Sequence, residues 1–175
     1  MTEEPATPTR FRHLMSRWAT GVSVVTALEG DRDHGMTVNA LLSVSLSPPL
    51  LLVSLSADAD TTGAVERSGR FAVSLLASDQ QPVSERFARP DPPEVKFLGL
   101  SVARGRLGPA LVGGALGWME CRVRSATAAA DHRLILGEVE AVDFGPDATP
   151  LLFHRSGYAQ ALGADTLRLP PPRTT

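Results

Sequence analysis

Short runs of β-branched and apolar residues, separated by Gly, Pro and charged turns, make up most of this chain, and helical periodicity is confined to a few short stretches. The first is at the start. Thr7 followed by Pro8 is an N-cap with proline at the first helical position, and Phe11, Leu14, Met15, Trp18 and Ala19 then recur on one helical face until Thr20 and Gly21 end it. Such a stripe is expected to pack into the core. Residues 22–28 predict a strand, and the polar EGDRDHG predicts a turn leading back as an antiparallel hairpin. Residues 35–56, GMTVNALLSVSLSPPLLLVSLS, contain no charge. Their length alone would suit a membrane span, but Pro48, Pro49 and the density of serine argue for two strands, 36–46 and 50–56, broken at Ser-Pro-Pro.

Beyond Ser56, Asp58 or Asp60 is placed to cap a helix over 61–68, followed by a strand over 70–76. A further short helix over 80–88 carries Val83 and Phe87 on one side, and the Pro-rich RPDPPEVKFLGL reads as an irregular loop. Alternation returns in LGWMECRVRSA, where Met119, Cys121 and Val123 share one face and Trp118, Glu120 and Arg122 the other. Residues 132–144 predict a long strand, and 151–162 mix strand and turn character. Strands dominate and the helices are short, so the pattern predicts an antiparallel barrel with peripheral helices rather than a doubly wound sheet.

With 175 residues the chain is most simply one domain, able to bury a core without disulfides or a structural metal. The expected folded body is 8–162, with flexible tails at 1–7 and 163–175. A net charge of −2 from dispersed acids and bases gives no nucleic-acid footprint and no polybasic membrane patch. Cys121 is the single cysteine, and the N-terminus resembles neither a signal nor a transit peptide, so a reducing cytoplasm is the expected location. GxGxxG and GxxxxGK[ST] are both missing, as is the GxSxG elbow of serine hydrolases. His13, His34, His132 and His154 show no metal-ligand spacing, so no metal is expected. A buried strand thiol such as Cys121 is filler far more often than a nucleophile.

The chemistry worth pursuing lies in 35–56. Thr37, Ser43, Ser45, Ser47, Ser54, Ser56 and the amide of Asn39 donate or accept hydrogen bonds with no net charge to desolvate, which suits a heteroaromatic ring edged with carbonyls and nitrogens. The helix that follows offers orphan N–H groups and the hydroxyls of Thr61 and Thr62 to a phosphate; an ordinary capped helix explains the same residues.

Four segments together, FRHLMSRWATGVSVVTA, the 35–56 stretch, SGRFAVSLLA with ERFA behind it, and DHRLILGEVEAV followed by PLLFHRSGY, resemble the flavin reductase family of the FMN-binding split barrel. The match runs over residues 11–158 in the family's order. This resemblance implies a mainly β fold, a six-stranded antiparallel Greek-key split barrel with short peripheral helices. It also implies a homodimer with flavin sites near the subunit interface, and NADH- or NADPH-dependent reduction of FMN or FAD for a partner flavin-dependent monooxygenase. Carried over by position, Thr37, Val38 and Asn39 would border the flavin, Ser54, Leu55 and Ser56 would run beneath its ring, and Thr61 would meet the phosphate. His132 and Gly137, in the DHxxxxGEV pattern, would stand near the nicotinamide, although His132 could equally fill a strand position and Gly137 mark a bulge. One departure is local: where many relatives have Asn-Lys-Ser-Ser before that threonine, this chain has Ala57, Asp58, Ala59 and Asp60 after Ser56, which removes a cation and adds two acids. Two other readings fit the same resemblance, a flavin-binding or electron-transfer module without turnover and a reductase of another acceptor that keeps its flavin bound.

Overall fold

The computed structural model describes residues 5–161; residues 1–4 of the first expected tail, the whole of the second, 163–175, and Leu162 lie outside the described residues. Thr7 caps α1 (Pro8–Met15), accepting the N–H of Arg10 at 3.3 Å, with Pro8 in the first turn as expected. The helix stops four residues earlier than the periodicity suggested, at Ser16. Core packing of its stripe is not what the structure shows: no residue of α1 is buried, and Phe11, Leu14 and Trp18 are 62%, 63% and 69% exposed. None of the described residues packs over this face tightly enough to bury it, so the amphipathic signal was real but its cover was misread.

The strands follow in order: β1 (Thr20–Gly21), β2 (Ser23–Glu29), β3 (Arg32–Val38), β4 (Leu41–Leu46) and β5 (Pro49–Ser56). The expected hairpin between β2 and β3 forms, but its turn is only Gly30-Asp31, so DRDHG is mostly strand. Helix α2 (Asp60–Ser68) packs on β2 through buried Ala64 and Val65 and ends at Gly69, whose φ of 67° lets its N–H reach the Val65 carbonyl. Next come β6 (Arg70–Leu75), a 3₁₀ turn at Ser78–Gln80 and α3 (Gln81–Ala88). The loop expected to be irregular contains a one-turn α4 (Pro93–Phe97), pinned by an edge-to-face contact of Phe97 with Phe87 at 5.0 Å. The remaining strands are β7 (Val102–Arg104), β8 (Ala110–Val112), β9 (Gly117–Ala129), β10 (His132–Phe144), β11 (Leu151–His154) and β12 (Gly157–Gln160).

Seven strands form the main antiparallel sheet in the order β3-β2-β6-β9-β10-β5-β4. β3 and β4 occupy opposite ends of that order yet are one stretch of chain interrupted only at Asn39 and Ala40, where a single strand had been expected. The bend brings the two edges together, and the Ser54 N–H donates to the Ala40 carbonyl at 3.1 Å. Counted as one bent strand, β3–β4 makes this a six-stranded barrel. Its interior is filled by Val25, Val53, Leu55, Phe71, Cys121 and Ile135, each with no exposed surface. Burying a side chain of this size stabilises by about 1.5–3 kcal/mol, so the barrel core is the main support of everything placed on it. Gly137 in β10 faces this interior at a register shift, and a Cβ there would fall 2.6 Å from Cζ of Phe71. The small sheet β1-β11-β12 lies outside the barrel and ties the chain leaving α1 to the last hairpin.

Candidate functional site

A groove of about 1250 Å³ runs between α1, β1, the β3–β4 bend and the first residue of β10. Its size exceeds the usual 300–1,000 Å³ of a cleft for one small molecule, so it has room for two ring systems. Met15, Trp18, Leu42 and Leu75 give it apolar walls, and Thr20, Ser23, Asn39 and Ser54 set neutral polar groups among them. The Oγ1 of Thr20 is buried and has no hydrogen-bond partner among the described residues. An apolar wall with neutral donors and acceptors matches the flat face and polar edge of a heteroaromatic ring.

At one end β10 begins with His132, paired across the sheet with Ser56 on β5 and Ala129 on β9. The Asp131 carbonyl accepts the Ala57 N–H at 2.9 Å, which fixes the backbone of this corner. His132 Nδ1 and Asp131 Oδ1 are 2.8 Å apart, a contact that favours hydrogen on Nδ1 and leaves Nε2 as the acceptor. The same hydrogen bond holds the Asp131 carboxyl below its ordinary range. Both side chains are open to ligand, His132 at 46% exposure.

Of the residues singled out in the sequence, the groove brings together Asn39, Ser54 and His132. Thr37 is half-buried and spends its hydroxyl on the Ser84 carbonyl at 2.6 Å, tying β3 to α3. Val38 and Leu55 are core residues, 5% and 0% exposed. The carbonyl of Ser56 accepts the Thr62 hydroxyl at 2.7 Å, and Thr61 is 4% exposed at the head of α2. Gly137 sits against Phe71 in the barrel and not along the groove. The expected carboxylate cap of α2 is corrected: Ala59 is the N-cap, with no side-chain cap hydrogen bond, and Asp60 is already helical. The helix begins one residue earlier than the expected 61–68, so the cap position falls on Ala59, between the two aspartates. Cys121 is fully buried and its thiol is pushed up to about 12 by burial, so it is packing and not a nucleophile. Sequence reasoning missed Trp18, Thr20 and Asp131; the helix stripe and the DH dipeptide were their only signals.

The profile of the flavin reductase like domain matches residues 15–162. The chain belongs to that family. It is similar to the reductase component of 4-hydroxyphenylacetate 3-monooxygenase from Thermus thermophilus, 38% identical over 149 residues that cover 85% of this chain and 93% of the relative. An NADH-dependent flavin reductase from Rhodococcus is 39% identical over 166 residues, covering 91% and 90%. Among solved structures, BorF, the flavin reductase component of a bacterial two-component tryptophan halogenase, superposes with a TM-score of 0.82 at 37% identity, covering 88% of this chain and 98% of that one. The mainly antiparallel β architecture with short helices described above is the fold of this family. Among the described residues no helix is long and apolar enough to cross a membrane.

Proposed function

We propose that the chain is an NAD(P)H:flavin oxidoreductase that reduces FMN or FAD and supplies the reduced flavin to a flavin-dependent monooxygenase. The observation that carries this is the groove: one wall of apolar and neutral polar side chains, with Asn39 and Ser54 at the barrel closure and the Asp131–His132 pair at its end. Relatives whose names state NADH-dependent flavin reduction, or the reductase part of a monooxygenase, support the same reading.

Flavin fits the donor set of this groove. Asn39 and Ser54 would serve the polar edge of the ring, with Trp18 and Leu42 against its faces. His132, through Nε2, would hold the carboxamide of the nicotinamide, and the N–H groups at the head of α2 beside Thr61 would take the flavin phosphate. Thr37, Val38, Leu55, Ser56 and Gly137 then act by shaping the barrel beneath these groups. When both rings are present, hydride passes from nicotinamide C4 to flavin N5, chemistry that belongs to the two cofactors. The chain's part is to stack them and exclude water, and it needs no general base.

The working unit is residues 8–162, and it acts in the cytoplasm as a homodimer. Its exposed apolar surface supports that: the α1 stripe and, on β4, Leu42, Val44 and Leu46, the last 89% exposed. Steady-state oxidation of NADH and of NADPH with added FMN and FAD tests the activity. No acceleration over the reaction in free solution with any of the four pairs overturns it. A sedimenting monomer at micromolar concentration overturns the dimer.

A further inference from the structure

A second, smaller pocket of about 380 Å³ lies beyond α1, lined by His13, Ser16, Arg17, Arg155 and Ser156. No acidic side chain is among the described residues that line it, and neither Arg17 nor Arg155 pairs with a carboxylate there. The end of α1 favours cations through its dipole, which accounts for His13 and Arg17. It does not account for Arg155, which comes from a different element, the turn between β11 and β12.

That turn is built against preference. Arg155 and Ser156 have φ of 51° and 60°, the two left-handed positions of a tight hairpin that Asn-Gly normally fills. The Arg155 N–H donates to the Ser16 carbonyl at 2.6 Å, which clamps the turn onto the end of the helix. Two exposed guanidinium groups gathered at one small concavity repel one another weakly, and an anion seated between them is attracted to both. Ser16 spends its hydroxyl on the His13 carbonyl at 2.8 Å, which leaves two arginines and the Ser156 hydroxyl as a donor set suited to phosphate oxygens.

The pocket and the groove lie on different sides of α1 and are bordered by two common stretches of chain. On α1, Arg12 and Met15 face the groove while His13, Ser16 and Arg17 face the pocket. Leu151 at the start of β11 lines the groove, and Arg155, four residues on in the turn after β11, lines the pocket, at most roughly 13 Å away at 3.3 Å per residue. A dinucleotide whose nicotinamide lies in the groove can reach it. We propose that this pocket holds a phosphate of the nicotinamide dinucleotide, an inference that rests on the reductase reading. The phosphate has two sources: the pyrophosphate shared by NADH and NADPH, or the 2′-phosphate of NADPH alone.

The test uses the full chain with Arg17→Gln, Arg155→Lys and Arg155→Gln, and titrates two probes by calorimetry, ADP-ribose for the pyrophosphate and 2′-AMP for the 2′-phosphate. Loss of either charge is expected to weaken one probe about tenfold, as removing a charged hydrogen-bonding group does, with Arg155→Lys retaining part of the affinity. A loss confined to 2′-AMP identifies the 2′-phosphate; a loss for ADP-ribose identifies the pyrophosphate. In turnover, KM for the matching nucleotide rises while kcat and the flavin KM stay constant. Unchanged affinity for both probes in Arg17→Gln, which sits on an exposed helix end and leaves the turn intact, overturns the proposal. So does a rise in flavin KM alone. Failure of the wild-type chain to oxidise NADH or NADPH would instead strike the reductase reading, since probe binding does not depend on turnover.

Discussion

Replacing Gly137 with alanine asks whether this position serves the core or the nicotinamide. Gly137 is not among the glycines with positive φ, so its backbone accepts any L-residue and nothing but space demands glycine. That space is taken: an added Cβ would lie 2.6 Å and 2.7 Å from Cζ and Cε1 of Phe71 and 3.1 Å from Cβ of Cys121. Phe71 and Cys121 are both completely buried, so neither can swing away into solvent. Overpacking of this kind costs about 1–3 kcal/mol, offset by about 0.5–1 kcal/mol from the lower chain entropy of alanine in a strand. The expected net loss is about 0.5–2 kcal/mol, or a fall in Tm of roughly 1–8 °C for a chain of this size. Denaturant melts give the free energy, and KM for NADH is measured well below the melting range. The variant should be less stable with nicotinamide KM unchanged, and Phe71→Leu in the same chain should recover part of the loss by opening room at the ring. A chain of undiminished stability whose KM for NADH rises would refute this and place Gly137 on the ligand.

Two further outcomes follow from the geometry. Asn39→Ala should weaken flavin binding by about 1 kcal/mol, near fivefold, because the amide is exposed at the groove and loses one ordinary hydrogen bond; an unchanged flavin titration would remove Asn39 from the site. Cys121 should resist a thiol reagent at pH 8 in the folded protein and react once denaturant unfolds it, since burial pushes the thiol up to about 12; rapid native reaction would contradict the packing seen around it.

The barrel was legible because alternation and β-branched runs report local structure directly: 132–144 is β10 to the residue, and Cys121 points inward with Phe71 as the alternation required. What a face packs against is a different kind of information. The stripe Phe11, Leu14 and Trp18 has the period of a core helix, but period does not say what covers a face, and among the described residues this one stays exposed. The site is non-local in the same way. Asn39, Ser54 and His132 meet only because β3–β4 bends to close the sheet, a contact fixed by the register of β5 with both β4 and β10. The pattern also could not separate donors that serve a ligand from donors that serve the fold, so Thr37 looked like Asn39 until its hydroxyl was found on Ser84.

The correction at the head of α2 changes what a mutation there should do. Ala59 holds the N-cap with φ −78° and ψ 134°, the extended geometry of a capping residue, but its methyl group accepts nothing. The carbonyl of Ala59 takes the N–H of Thr62 at 2.9 Å, while the N–H groups of Asp60 and Thr61 stand at positions with no intrahelical acceptor. Ala59→Ser supplies an acceptor for the first turn and should stabilise the chain by about 0.5–2 kcal/mol. The same hydroxyl competes with any phosphate seated on those N–H groups. If the flavin phosphate sits there, Ala59→Ser raises stability and weakens FMN more than FAD, whose diester phosphates gain less from a single N–H cluster. Increased stability with both flavin affinities unchanged, measured at matched ionic strength, would show that the head of α2 near Thr61 is a structural terminus and that the phosphate lies elsewhere.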